Sequence, residues 1–165
     1  MAQRIEGRVG RGFQFASGGA VGRATEASPF SDATLRLQYP HFLRQGVDLV
    51  QLVPGLVWGT VNIELDRQLM LVDADHRLMV DWTANEPRAE ARIGPELFLL
   101  LACELTHRNR HYAGLIYYPH PSTKPPLNAH RYDVIEVIAP PVTGLGHGDP
   151  IVVTCREGAF APREI

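Results

Sequence analysis

The chain has 165 residues, 45% of them hydrophobic and 21% charged, with a formal net charge of −2 at pH 7. That length suits one domain with a real core, and the near-neutral balance argues against a polybasic nucleic-acid footprint. The two cysteines, Cys103 and Cys155, form no CxxC and no zinc spacing, so they read as isolated buried thiols in a reducing compartment.

In chain order, residues 1–12 lack the apolar stretch of a secretory signal. Residues 5–15 read as an extended segment, and residues 16–32, with Gly18, Gly19 and Gly22, as a long loop of the functional kind. Residues 39–45 suit a short helix with Phe42 and Leu43 as its apolar side and Gly46 as its stop. After the Pro54-Gly55 turn, alternation sends Val61, Ile63 and Leu65 one way and Thr60, Asn62 and Glu64 the other. Residues 68–72 and 76–81 are two further extended pieces, and residues 83–92 a polar excursion. The run 97–105 suits a buried strand or a helix opened by Pro95, and it is too short to span a bilayer. With 111–118 it reads as a hairpin turning at Asn109-Arg110. Residues 119–128 form a proline-rich excursion, residues 132–139 a strand ended by Pro140-Pro141, and residues 151–154 a last strand after the turn at Gly146 to Pro150. Many short strands, few helices and long loops predict an all-β (mainly β) domain over residues 1–165, closed or nearly closed as a β-barrel. The missing signal and membrane span place it in the cytoplasm.

The motifs have an order of their own. Residues 5–12 read IEGRVGRG; Gly59-Thr60-Val61-Asn62 follows Pro54-Gly55; Tyr118-Pro119-His120-Pro121-Ser122-Thr123-Lys124-Pro125 comes later. Val134-Ile135-Glu136-Val137-Ile138-Ala139-Pro140 and Gly148-Asp149 close the series. In this order the chain resembles the archaeal CTP-dependent riboflavin kinases. The resemblance implies a six-stranded closed cradle-loop β-barrel with one or two short helices. It also implies transfer of the terminal phosphate of CTP to riboflavin, giving FMN, with Mg²⁺. Two departures stand out: no Leu-Arg pair follows Pro140, and Leu56-Val57-Trp58 is inserted before Gly59.

The resemblance implies that Thr60 and Asn62 hold Mg²⁺. Their spacing puts a hydroxyl and an amide carbonyl on one strand face, and such hard oxygens suit that ion. Without the family, both would satisfy backbone groups at a strand start. Gly10, Gly12, Gly18 and Gly19 would bring backbone N–H groups to phosphates, or form an ordinary surface loop. Glu136 shares a strand face with Val134 and Ile138, and a carboxylate there needs a partner. By resemblance it meets the flavin or its ribityl chain and accepts the acceptor's proton; otherwise it bonds Arg131 or loop backbone. Thr123 would face the flavin phosphate, with Lys124 beside it.

Two other function classes stay open: a flavin- or nucleotide-binding barrel without turnover, and a DNA-binding regulator. The absence of a basic stripe counts against the second. His107, His111, His120 and His130 could supply zinc ligands, but the His107–His111 spacing crosses a turn and is no helical i, i+4 pair.

Overall fold

The computed structural model describes residues 1–10, 34–81, 95–123 and 130–164. The chain runs β1 (Ala2–Val9), α1 (Thr34–Arg44), α2 (Leu49–Leu52), β2 (Val61–Glu64), β3 (Leu69–Leu71), β4 (His76–Val80), β5 (Glu96–His107), β6 (Arg110–Pro119), β7 (Val134–Ile138), β8 (Pro150–Arg156) and β9 (Phe160–Pro162). No helix among the described residues is long and apolar enough to cross a membrane.

The fold is mainly β, built on a large antiparallel sheet in the order β4-β5-β6-β7-β2-β1-β8. A further β5–β8 pairing brings the order back on itself, so the strands ring around. The length of β5 makes this possible. Residues 96–100 pair with β4, and residues 103–106 pair with β8. The small β3–β9 sheet packs against the same interior, through Leu69, Leu71 and Phe160.

Side chains alternate across each strand, and the alternation separates two cores. Ile5, Ile63, Leu99, Leu101, Ile116, Ile135, Val137, Ile151 and Val153 point inward from six strands into one cluster. The intervening residues Leu78, Phe98, Leu100, Leu115, Tyr117 and Ile138 point outward and are covered by Leu35, Phe42, Leu49 and Val53 from the helices and the turn after them.

Helix α1 starts five residues before the segment expected from the sequence. Leu35, Gln38 and Phe42 recur at helical spacing and are buried, whereas Leu43, expected on the apolar side, is exposed. Pro40 lies inside the helix and removes one backbone hydrogen bond; burial of this face offsets that loss. The Asp48 carboxylate then accepts from Val50 N–H at 3.0 Å and from the Tyr39 hydroxyl at 2.6 Å, fixing α2 against α1. Beyond the end of α1, Gln45 bonds both the N–H and the carbonyl of Met79, covering the edge strand β4.

The β5–β6 hairpin turns at Arg108-Asn109, one residue earlier than the sequence suggested, with φ of 49° and 62°. Two consecutive left-handed residues give the mirror-image turn that matches strand twist. The Pro95-Glu96 start leads into strand, not helix.

Candidate functional site

The outward face of the sheet beneath α1 carries a polar group among apolar neighbours. It is assembled by register. Asn62 on β2 stands opposite Glu136 on β7, and Glu136 stands opposite Tyr117 on β6. Directly paired residues project to the same face, so the three side chains form a row across three strands. Thr60, just before β2, donates its hydroxyl to Glu136 Oε1 at 3.0 Å. From above, Gln38 on α1 accepts the Tyr117 hydroxyl through Oε1 at 2.9 Å. Glu96 at the start of β5 is also buried and shares this face with Phe98 and Leu100.

Gln38, Asn62, Glu96 and Tyr117 are buried while Thr60 and Glu136 are partly so, and the site's electrostatics follow. Tyr117 is held protonated well above the usual phenol value of 10.0, first by burial and then by the negative charges of Glu136 and Glu96. Asn62 is 9% exposed. Thr60 is half-buried, so the row meets solvent at that end. There the indole of Trp58 lies against the Tyr39 ring, 5.0 Å between centroids, with the Arg36 guanidinium 5.3 Å from the indole. The inserted Leu-Val-Trp segment therefore anchors the approach to β2 onto α1.

The structure thus brings Thr60, Asn62 and Glu136 together. Tyr117, Gln38 and Glu96 join them and were not singled out from the sequence. Local signals exist for two of them: Gln38 is a polar residue at helical spacing from Leu35 and Phe42, and Glu96 alternates with Phe98 and Leu100.

The other expected residues fall elsewhere. The Thr123 hydroxyl accepts from Leu97 N–H at 2.8 Å and donates to the His120 carbonyl at 3.3 Å, tying the end of β6 to the start of β5. The Gly10 N–H donates to the Asn62 carbonyl at 2.8 Å, which joins the glycine segment to the back of the site strand. A Cβ at Gly10 would lie 2.7 Å from Glu64 Cγ, so a larger residue there would have to push the exposed Glu64 side chain aside. Gly12, Gly18, Gly19 and Lys124 lie outside the described residues.

No arginine lies between Pro140 and Asp149, yet one reaches that region from the β5–β6 turn. Arg108 lies against Gly144 and bonds Asp149 at 3.4 Å. Asp149 also accepts from His107 Nε2–H at 2.9 Å and from Gly146 N–H at 3.0 Å. These partners, His107 foremost, hold its carboxyl below the ordinary value of 3.8.

The four candidate zinc histidines each have a different polar or aromatic partner, with His120 and His130 both lying against the Tyr118 ring. His107 meets Asp149, His111 meets Glu104, His120 meets Ser122, and the His130 ring lies between Tyr118 and Tyr132. Among the described residues, no group of three or more His, Cys, Asp and Glu side chains could hold a metal ion.

As a donor set, the Thr60 hydroxyl and the Asn62 amide oxygen are hard oxygens on one face, beside the Glu136 carboxylate. Such oxygens suit Mg²⁺, which completes its shell with water and phosphate. Compared with known proteins, the chain matches no family model and no curated sequence.

Proposed function

We propose that this chain is a phosphotransferase resembling the CTP-dependent riboflavin kinases, with its reacting centre on the face that carries Thr60, Asn62 and Glu136. The observation that carries the reading is their convergence. Residues from two separate sequence motifs lie together, Thr60 and Asn62 from one and Glu136 from the other, with Thr60 and Glu136 joined at 3.0 Å. In this reading the ring of strands is a closed six-stranded cradle-loop barrel, one domain over residues 1–165, working in the cytoplasm on small molecules without nucleic acid or membrane.

Phosphoryl transfer asks mainly for positioning and charge neutralisation. Mg²⁺, when bound, neutralises charge on the phosphates of CTP. Thr60 and Asn62 would hold it through the hydroxyl and amide oxygens. Glu136 accepts the proton of the attacking riboflavin hydroxyl; its place beside the Thr60 hydroxyl, at the end of the row that meets solvent, supports that role. Tyr117 on the sheet and Gln38 on α1, bonded to each other, form the wall that keeps water from the inner side of Glu136.

The test is FMN formation from riboflavin and Mg²⁺ with each of CTP, ATP, GTP and UTP. FMN with CTP, lost in a Thr60→Ala, Asn62→Ala double variant that keeps its thermal midpoint, supports the reading. No FMN with any donor overturns it. Equilibrium titration with riboflavin and CTP would then distinguish a barrel that binds without turnover from one that binds neither.

A further inference from the structure

Cys103 and Cys155 look isolated in the sequence but are neighbours in the fold. In the β5–β8 pair they are direct register partners. Both belong to the inward series: Cys103 follows Leu99 and Leu101, and Cys155 follows Ile151 and Val153. Direct antiparallel partners have Cα atoms about 4.5–5.5 Å apart. Disulfides span Cα separations of about 4.4–6.8 Å. Across the other edge of β5, Cys103 faces Gly114, where a Cβ would come within 3.3 Å of its Sγ; the glycine leaves the sulfur its room. Both thiols are free in this structure.

We propose that Cys103 and Cys155 form a reversible disulfide across β5 and β8, a redox modification site on the pairing that brings the ring of strands back on itself. The inference is independent of the phosphotransfer reading.

The co-reactant is a small-molecule disulfide such as oxidised glutathione. Cys103, the more exposed of the two, attacks it as the thiolate and releases one small thiol. The Cys155 thiolate then attacks the Cys103 sulfur and displaces the second. One disulfide bond breaks and one forms, two protein thiols are oxidised, and their protons end on the two released thiols. Burial, and then the neighbouring Cys155, push the Cys103 thiol up to about 12; burial also raises Cys155. The folded protein therefore exchanges slowly at neutral pH and faster as pH rises.

The experiment incubates the full chain in oxidised and reduced glutathione until the thiol count is constant, starting both from native protein and from protein refolded in the same buffer. Free thiols are blocked with N-ethylmaleimide, and products are read by intact mass and peptide mapping. The expected result from both starting points is joint loss of both thiols in a monomer, one peptide linking Cys103 to Cys155, and reversal by dithiothreitol. The thermal midpoint should rise by roughly 5–10 °C on oxidation, and not in Cys103→Ser or Cys155→Ser. Two free thiols from both starting points would overturn the proposal. So would glutathione adducts without the linked peptide, or disulfides only between chains.

Discussion

The Thr60 hydroxyl donates to Glu136 Oε1 at 3.0 Å across 76 residues of chain. This bond joins the start of β2 to the middle of β7, two strands already paired with Asn62 opposite Glu136. Glu136 thus has a hydroxyl on one side and a buried tyrosine on the other. A carboxylate on this face, among Phe98, Leu100 and Ile138, is costly unless such neighbours satisfy it.

Replacing Glu136 with Gln keeps the shape and removes the charge. FMN-forming kcat with CTP should fall by roughly 10²-fold or more. Tyrosinate absorbance titration should show Tyr117 ionising at lower pH than in the parent, because one of the charges that raises it is gone. An unchanged Tyr117 titration would contradict the electrostatics described for this row.

Tyr117→Phe leaves Gln38 Oε1 without its donor inside the helix–sheet layer. Denaturant unfolding at neutral pH should show a loss of about 1–2 kcal/mol. The pH dependence has a definite sign. Tyr117 has a folded pKa above the ordinary 10.0, so its contribution is complete below that pH and is lost as pH rises through the folded value. Relative to its own neutral baseline, the variant should lose less stability than the parent on titration above pH 10.0.

Asp149 gives the opposite sign. His107, Gly146 and Arg108 lower its pKa below 3.8, so its contribution is present above that value and is lost as pH falls through the folded pKa. Thermal melts between neutral pH and pH 3 should show a shallower acid decline for Asp149→Asn than for the parent.

Gly114→Ala should destabilise through overpacking. The added methyl would lie 2.9 Å from Val137 Cγ1, 3.2 Å from the Ile138 carbonyl and 3.3 Å from Cys103 Sγ. Backbone on one side and core on the other leave little room to yield, so about 1–3 kcal/mol should be lost in denaturant unfolding.

Where alternation was strong, the local reading and the structure agree. The period of two around Val61, Ile63 and Leu65 already put Thr60 and Asn62 on the opposite face, and the same rule put Glu136 beside Val134 and Ile138. The hairpin was legible from two apolar runs around a polar break, though the turn moved to Arg108-Asn109. Other elements were hidden by their brevity or by conflicting signals. β9 is three residues long and α2 four, too short for a period to show. The first part of α1 carries a proline inside the helix, Pro40, and a buried polar residue, Gln38, on its apolar face, which weaken the helical signal there.

Pairing lay beyond the sequence altogether. Nothing local says that Glu136 stands between Asn62 and Tyr117, that α1 lays Gln38 over Tyr117, or that Cys103 meets Cys155. The chain by itself determined which side of each strand a residue faces, since that depends on backbone geometry two residues long. Which strands lie side by side, and at what offset, was decided only when distant segments buried their apolar faces together, because register is a property of two strands and is held by the core they share.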